Sequence, residues 1–191
     1  MNFNIPNILT WIRLIAIPIV VWCFFSDIRY EGGNFARPIA GLLFALAAFT
    51  DLLDGYLARK LGQTSKFGAF LDPVADKLLV AVCLVLLVQS DARIEVALIA
   101  AVIIGREITV SALREWMASL GARSLVKVGF AGKLKTLFQM GGIALMVYEQ
   151  SIFGVDVYEI GYYLLLVAAV MTLYSMFVYM RAAWPEMSDH G

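Results

Sequence analysis

Four aspartates, Asp51, Asp54, Asp72 and Asp76, fall within 26 residues of this chain and border two apolar segments. Asp51 and Asp54 are three positions apart, and Asp72 and Asp76 four. On helices, either spacing brings the two carboxylates of a pair onto one face, about one turn apart. Four carboxylates facing one another repel strongly wherever water is scarce. One or two hard divalent cations relieve that repulsion, and Mg2+ and Ca2+ favour carboxylate oxygens as ligands. Gly55, Ala58 and Gly68 lie between the acids and are small enough for a bulky ligand to approach the backbone. Arg59 follows Gly55 by four residues, and a guanidinium binds phosphate oxygens bidentately. The stretch thus offers metal ligands, bare backbone and a phosphate clamp. A metal pair about 3.5–4 Å apart is a clamp for in-line displacement at phosphorus. One carboxylate could also take the proton from an attacking hydroxyl. Residue chemistry alone leads to metal-assisted phosphoryl-type transfer. The plain alternative is that Asp51 and Asp54 solvate a helix end, and that Asp72 caps a helix beginning at Pro73. It does not explain why four acids gather beside Arg59.

The pattern Asp51-x2-Asp54-Gly55-x2-Ala58-Arg59-x8-Gly68-x3-Asp72-x3-Asp76 resembles the signature of the CDP-alcohol phosphotransferase family at all eight fixed positions. The resemblance implies an enzyme that takes a CDP-linked substrate and an alcohol. It breaks the diphosphate, releases CMP and joins the alcohol to the remaining phosphate. Carried over by position, Asp51, Asp54 and Asp72 would be metal ligands. Asp76 would be a further ligand and the general base. Gly55, Ala58, Arg59 and Gly68 would contact the CDP-lipid. Asn7 and Thr10, in a Pro-Asn-x2-Thr setting, would line the nucleotide pocket, as would Ser65 or, in its place, Thr64. Two divalent cations are implied, Mg2+ or alternatively Mn2+.

A second basic set bears on the acceptor. Arg106, Arg114, Lys133 and Lys135 approach one level of the molecule from two predicted helices. A half-buried charge is costly unless it is paired or binds something. Arg106 and Glu107, like Arg114 and Glu115, are sequence neighbours and not i,i+4 partners, so they need not neutralise each other. A phosphorylated alcohol suits such a cluster, whereas serine or choline would not need so many cations. The competing view is that these side chains simply snorkel to a membrane surface. The runs LDPVADKLLVA, GREITVSALREWMASLGA and GKLKTLFQM resemble the branch of the family that makes phosphatidylglycerophosphate. That implies CDP-diacylglycerol as donor, glycerol 3-phosphate as acceptor, lipid tails in a groove open to the bilayer, and a homodimer. The alternative within the family is another alcohol acceptor such as inositol phosphate.

The elements that must position these residues are membrane helices. Of 191 residues, 61% are hydrophobic, against about 45–50% in a soluble domain. Mean hydropathy is +0.81. Six apolar runs predict spanning helices at about 6–25, 38–59, 68–88, 94–117, 132–148 and 160–181, each close to the roughly 20 residues a span needs. They make an all-α integral membrane protein with a single catalytic domain over 1–184 and a polar tail over 185–191. The first run lacks a basic n-region, contains Arg13 and is followed by no small-residue cleavage site, so it reads as a span and not a signal peptide. Asn7, Thr10 and Arg13 form a polar stripe on it, which should face protein, and Pro18 could kink it.

Orientation follows from the bias in basic residues. One side holds Arg13, Arg59, Lys60, Lys66, Lys77, Arg106, Arg114, Arg123, Lys127, Lys133, Lys135 and Arg181; the other holds only Arg29, Arg37 and Arg93. That places both termini and all four aspartates on the cytoplasmic side, and the resemblance implies that the membrane is a bacterial inner membrane. Net charge is zero, and no nucleic-acid partner is expected. Cys23 and Cys83 sit in apolar runs and suggest neither a disulfide framework nor a zinc site. The one histidine, His190, lies in the tail, which disfavours histidine catalysis. A cation- or proton-coupled transporter also uses intramembrane acids, but it predicts acids near the midplane and repeat symmetry. No internal repeat is evident.

Overall fold

The computed structural model describes the backbone of residues 5–29, 36–61, 66–119 and 130–189, and side chains over 10–26, 36–50, 71–119, 132–181 and at Trp184. Six helices make up almost all of it: α1 (Ile5–Arg29), α2 (Ala36–Leu61), α3 (Lys66–Ser90), α4 (Ile94–Ser119), α5 (Phe130–Tyr148) and α6 (Val157–Asp189). Among the described residues there is no strand, only an isolated bridge between Ile152 and Val155. The all-helical expectation holds, and each predicted helix is present.

The helices overrun the apolar runs that predict them, and local capping explains the largest difference. Apolar periodicity starts the sixth helix near Ile160. The Asp156 carboxylate instead accepts a hydrogen bond from the Tyr158 amide at 2.9 Å, the role of an N-cap, so α6 starts at Val157. At its other end α6 continues to Asp189, past Pro185, where the polar composition alone predicts a tail. Asp72 is not a helix cap, because α3 begins at Lys66 and Pro73 lies inside the helix. Pro73 has no N–H to give the carbonyl of Ala69, so a short gap in the hydrogen-bond ladder sits beside the first acid of α3.

α5 packs on α6 and α2, α1 on α2 and α3, and α4 on α3 and α6. One core runs through all six helices, including Phe24 of α1, Phe44 of α2, Leu84 and Leu87 of α3, Ile103 of α4, Ile143 and Met146 of α5 and Leu165 of α6. The α5–α6 crossing depends on two glycines. A Cβ on Gly142 would lie 2.8 Å from the Gly161 carbonyl oxygen, and one on Gly161 would lie 2.8 Å from the Gly142 carbonyl oxygen. Such backbone-to-backbone approach is how helices pack closely where small residues face each other.

Large apolar side chains also point outward. Ile12, Ile15, Ile19 and Trp22 of α1, Leu42, Leu46 and Phe49 of α2, and Val170, Leu173 and Phe177 of α6 are exposed. On the same α1, Thr10 and Arg13 are buried, so the described part of the polar stripe faces protein as its position predicts. Among the described residues, α4 and the Val157–Arg181 part of α6 are long and apolar enough to cross a bilayer; Thr10–Ser26 and Ala36–Thr50 are shorter apolar stretches.

One end of the bundle is tied by ion pairs. Arg37, at the start of α2, meets Glu149, just after α5, at 3.0 Å and stacks over the Phe24 ring at 3.8 Å. In the three-residue connection between α3 and α4, Arg93 pairs with Asp91 at 2.8 Å and with Glu159 of α6 at 2.9 Å. Tyr158 donates its hydroxyl proton to Asp91 at 2.5 Å, and Arg93 stacks on Tyr162 at 4.5 Å. Burial alone would raise the Asp91 carboxyl, but hydrogen bonds from Arg93 and Tyr158 outweigh it and hold the group at about 2, against 3.8 unperturbed. A carboxyl depressed in the folded state contributes stability above its unfolded value and loses it as pH falls through the folded value. Thermal melts in detergent should therefore show an Asp91-dependent loss as pH drops from about 4 towards 2. In Asp91→Asn that part of the pH dependence should be absent; an unchanged acid limb would show that Asp91 carries none of it.

Candidate active site

α2 carries Asp51, Asp54, Gly55, Ala58 and Arg59 along one unbroken helix, and α3 carries Gly68, Asp72 and Asp76 along the next. The backbone thus keeps both acid pairs at helical spacing. The side chains of Asn7, Asp51, Asp54, Ala58 and Arg59, together with the surroundings of Gly55, Ser65 and Gly68, lie outside the described residues. Asp72 and Asp76 are described, and both are half-buried. Thr10 of α1, itself fully buried, donates its hydroxyl proton to Asp72 Oδ1. The polar stripe of α1 therefore reaches the acid on α3 directly. Among the described residues, no three metal-ligating side chains stand together. The described half of the acid set, Asp72 and Asp76 one turn apart, consists of hard carboxylate oxygens, the donor type that Mg2+ takes.

Asp76 opens onto a cavity of about 270 Å³ between α3, α4, α5 and α6. Its wall includes Lys77, Arg106, Glu107, Arg114, Lys135 and Gln139. Arg106, Arg114 and Lys135 of the basic set are thus brought together beside an aspartate of the signature. Lys133 is exposed and does not line this cavity. Glu107 is the hub of the wall. Its Oε1 accepts from Arg106 Nη1 at 2.9 Å and from Lys135 Nζ at 2.9 Å. Sequence spacing left Arg106 and Glu107 unpaired, and the structure corrects this. The arginine is long enough to reach its neighbour's carboxylate around the helix, and Lys135 from α5 holds the same oxygen in place. Arg106 Nη2 also donates to Ser175 Oγ of α6 at 3.3 Å. The Arg106 and Arg114 guanidinium carbons lie 5.8 and 5.6 Å from the Tyr179 ring centre.

A second cavity, about 430 Å³, opens between α3 and α4. It is apolar, lined by Val74, Leu78, Ala81, Ile104 and Ile108. Lys77, Val80 and Glu107 belong to both cavities and form the partition between them. Lys77 donates to Ser111 Oγ of α4, which fixes this partition from both helices.

The described part of the site is therefore a small polar cavity rich in cations, with Asp76 on its wall, and an adjoining apolar groove. A family model described as CDP-alcohol phosphatidyltransferase matches residues 3–178. The chain belongs to the CDP-alcohol phosphatidyltransferase family. Curated members lie close in sequence over nearly the whole length. One, from Pseudomonas fluorescens, is 49% identical over 98% of this chain and 94% of its own length. Others, from Shigella flexneri serotype 5b and Salmonella choleraesuis, are 47% and 46% identical over 99% of this chain and all of theirs. All three are named CDP-diacylglycerol–glycerol-3-phosphate 3-phosphatidyltransferase.

Sequence reasoning missed several members of the wall in this family member. In sequence, Lys77 enters only through the charge bias, although it follows Asp76 directly. Glu107 reads there as a neighbour that need not pair with Arg106. Gln139 carries no marker of its own, yet it lies four residues after Lys135, one turn along the same helix, and that spacing could have found it.

Proposed function

We propose that this chain transfers the phosphatidyl group of CDP-diacylglycerol to sn-glycerol 3-phosphate, forming phosphatidylglycerophosphate and releasing CMP. The observation that carries the reading is the charge of the polar cavity. Four cations, Lys77, Arg106, Arg114 and Lys135, face two carboxylates, Asp76 and Glu107, among the described lining residues. The surplus of two positive charges matches a phosphate monoester dianion and has no partner in a neutral alcohol. The printed names of the close relatives agree with this acceptor.

In the reaction, one acceptor hydroxyl oxygen forms a bond to the phosphorus that bears diacylglycerol. The bond from that phosphorus to the oxygen bridging to CMP breaks, and CMP leaves with the electron pair. Asp76 stands at the cavity wall and takes the hydroxyl proton. Arg106, Arg114 and Lys135 hold the acceptor phosphate, and Glu107 holds two of those cations in place. Arg59, with Gly55, Ala58 and Gly68, accepts the diphosphate. Asn7 and Ser65 complete the nucleotide pocket. Thr10 fixes one oxygen of Asp72. Asp51, Asp54, Asp72 and Asp76 would hold two divalent cations, Mg2+ first, which when bound offset charge on the diphosphate. The acyl part of the donor lies along the apolar groove behind Lys77, so head and tail of one amphiphile meet their own surfaces.

The same reading makes the chain a six-span protein of the bacterial cytoplasmic membrane, one catalytic domain with its site at the cytoplasmic side. The exposed apolar faces of α1, α2 and α6 support the lipid setting. So does the charge asymmetry: two of the three arginines of the other end, Arg37 and Arg93, pair with local carboxylates. A homodimer, implied by resemblance, is checked by light scattering in detergent.

CMP release by purified protein in micelles tests the reaction, with CDP-diacylglycerol, Mg2+ and one acceptor per reaction. Release with glycerol 3-phosphate and not with inositol phosphate, inositol or serine is the expected result. Release with another acceptor instead would discard the reading of the cationic cavity. Arg106→Ala should raise the KM for glycerol 3-phosphate about 10- to 100-fold, the scale of a lost charge-assisted hydrogen bond, and leave the KM for the CDP-lipid nearly unchanged. An equal rise in both would make Arg106 structural.

A further inference from the structure

Gln139 is 4% exposed, lines the polar cavity, and has no hydrogen-bond partner at its side-chain oxygen Oε1. A buried amide left unsatisfied is destabilising, and an apolar residue of similar volume would avoid that cost. Its neighbours are largely paired. Glu107 accepts from Arg106 Nη1 and Lys135 Nζ, which leaves Arg106 Nε as the other unpartnered buried atom of this wall among the described residues, and the Thr136 hydroxyl donates to the Gly132 carbonyl at 3.0 Å. Gln139 sits one helical turn beyond Lys135, so the amide and the ammonium are adjacent on α5.

We propose that Gln139 is a specificity-determining residue whose side-chain amide hydrogen-bonds the second hydroxyl of the acceptor, the one that does not attack. This rests on the reading of the acceptor as a phosphorylated polyol. Such a molecule has three polar parts, and the cavity offers three kinds of group. The cations take the phosphate, and the Asp76 carboxylate takes the proton of the attacking hydroxyl. The remaining hydroxyl is neutral, and a neutral amide with an unused acceptor oxygen is its complement. A site built to bond a substrate hydroxyl discriminates against an analogue that lacks it, because its own buried group is then left unpaired.

The test compares glycerol 3-phosphate with 3-hydroxypropyl phosphate, which keeps the phosphate and a primary hydroxyl but lacks the secondary one. CMP release is measured with CDP-diacylglycerol and Mg2+ for the parent, Gln139→Met and Gln139→Leu, with melting temperatures for all three. The parent should favour glycerol 3-phosphate in kcat/KM by about tenfold, the scale of one hydrogen bond. In Gln139→Met that preference should vanish through a fall on glycerol 3-phosphate alone. Its kcat/KM on 3-hydroxypropyl phosphate should stay within about twofold of the parent, and the KM for CDP-diacylglycerol should hold. Gln139→Leu should behave in the same way and decides the matter if the methionine variant melts early. An undiminished preference in the variants, no preference in the parent, or an equal fall on both acceptors would each overturn the role of Gln139. Parent protein that releases CMP only with an unphosphorylated acceptor would overturn the underlying acceptor reading instead, and that result is visible before any variant is made.

Discussion

Asp76→Asn should lower CMP release by about 10²- to 10⁴-fold, the range of a lost general base. The substitution keeps size and hydrogen-bonding capacity but removes the site that accepts a proton and most of the affinity for a hard cation. Asp76 is the carboxylate placed both in the signature and in the wall of the cationic cavity. On the proposed function it is the group through which the metal-and-nucleotide side of the site would meet the acceptor side. The melting temperature should stay close to the parent's, because the acid is half-buried and not part of the apolar core. Turnover near the parent level, in protein with a normal melt, would remove Asp76 from the proton transfer.

The second large effect concerns folding. Gly142→Val would push a branched side chain into the Gly161 carbonyl oxygen and the Leu165 amide nitrogen, which already lie 2.8 and 2.9 Å from where a Cβ would stand. Both are backbone atoms, so no rotamer change relieves the overlap and α5 and α6 must move apart. Overpacking of this kind costs about 1–3 kcal/mol, and more where backbone must shift. The variant should melt well below the parent and bind acceptor poorly, since α5 brings Lys135 and Gln139 to the cavity and α6 brings Tyr179. Gly105→Ala is the control: nothing lies within 4 Å of a Cβ there, and the melt should not fall. Equal melts for both variants would show that the glycine crossing is not needed for packing.

The expectations drawn from sequence succeeded where one local pattern decided the outcome. Apolar length placed six helices, because a run of about 20 apolar residues has few other stable forms. Polar spacing on α1 put Thr10 and Arg13 towards protein. The failures share a cause, because each depended on groups distant in sequence or on a cap. Asp156 moves the start of α6 through one hydrogen bond that hydropathy cannot see. Glu107 pairs with Arg106 because Lys135 approaches from another helix, which no i,i+4 rule contains. The contact of Thr10 with Asp72 spans 62 positions, and no local pattern contains it. A lone glutamine in an apolar run carries little signal by itself; only the four-residue spacing from Lys135 marks Gln139, and that becomes meaningful once Lys135 is placed at the cavity.

The ion-paired junction of Asp91, Arg93, Tyr158 and Glu159 has a mechanical consequence. It fastens the end of α3, the start of α4 and the start of α6 at one place. The polar cavity lies at the other end of the same three helices, about 22 Å away along α3 from Asp91 to Asp76. There too the helices are tied, α3 to α4 by Lys77 and Ser111 and α4 to α6 by Arg106 and Ser175. With a polar fastening at each end, α3, α4 and α6 can neither slide past one another nor turn independently, so the register that brings Asp76, Arg106 and Tyr179 to one cavity is held from two places.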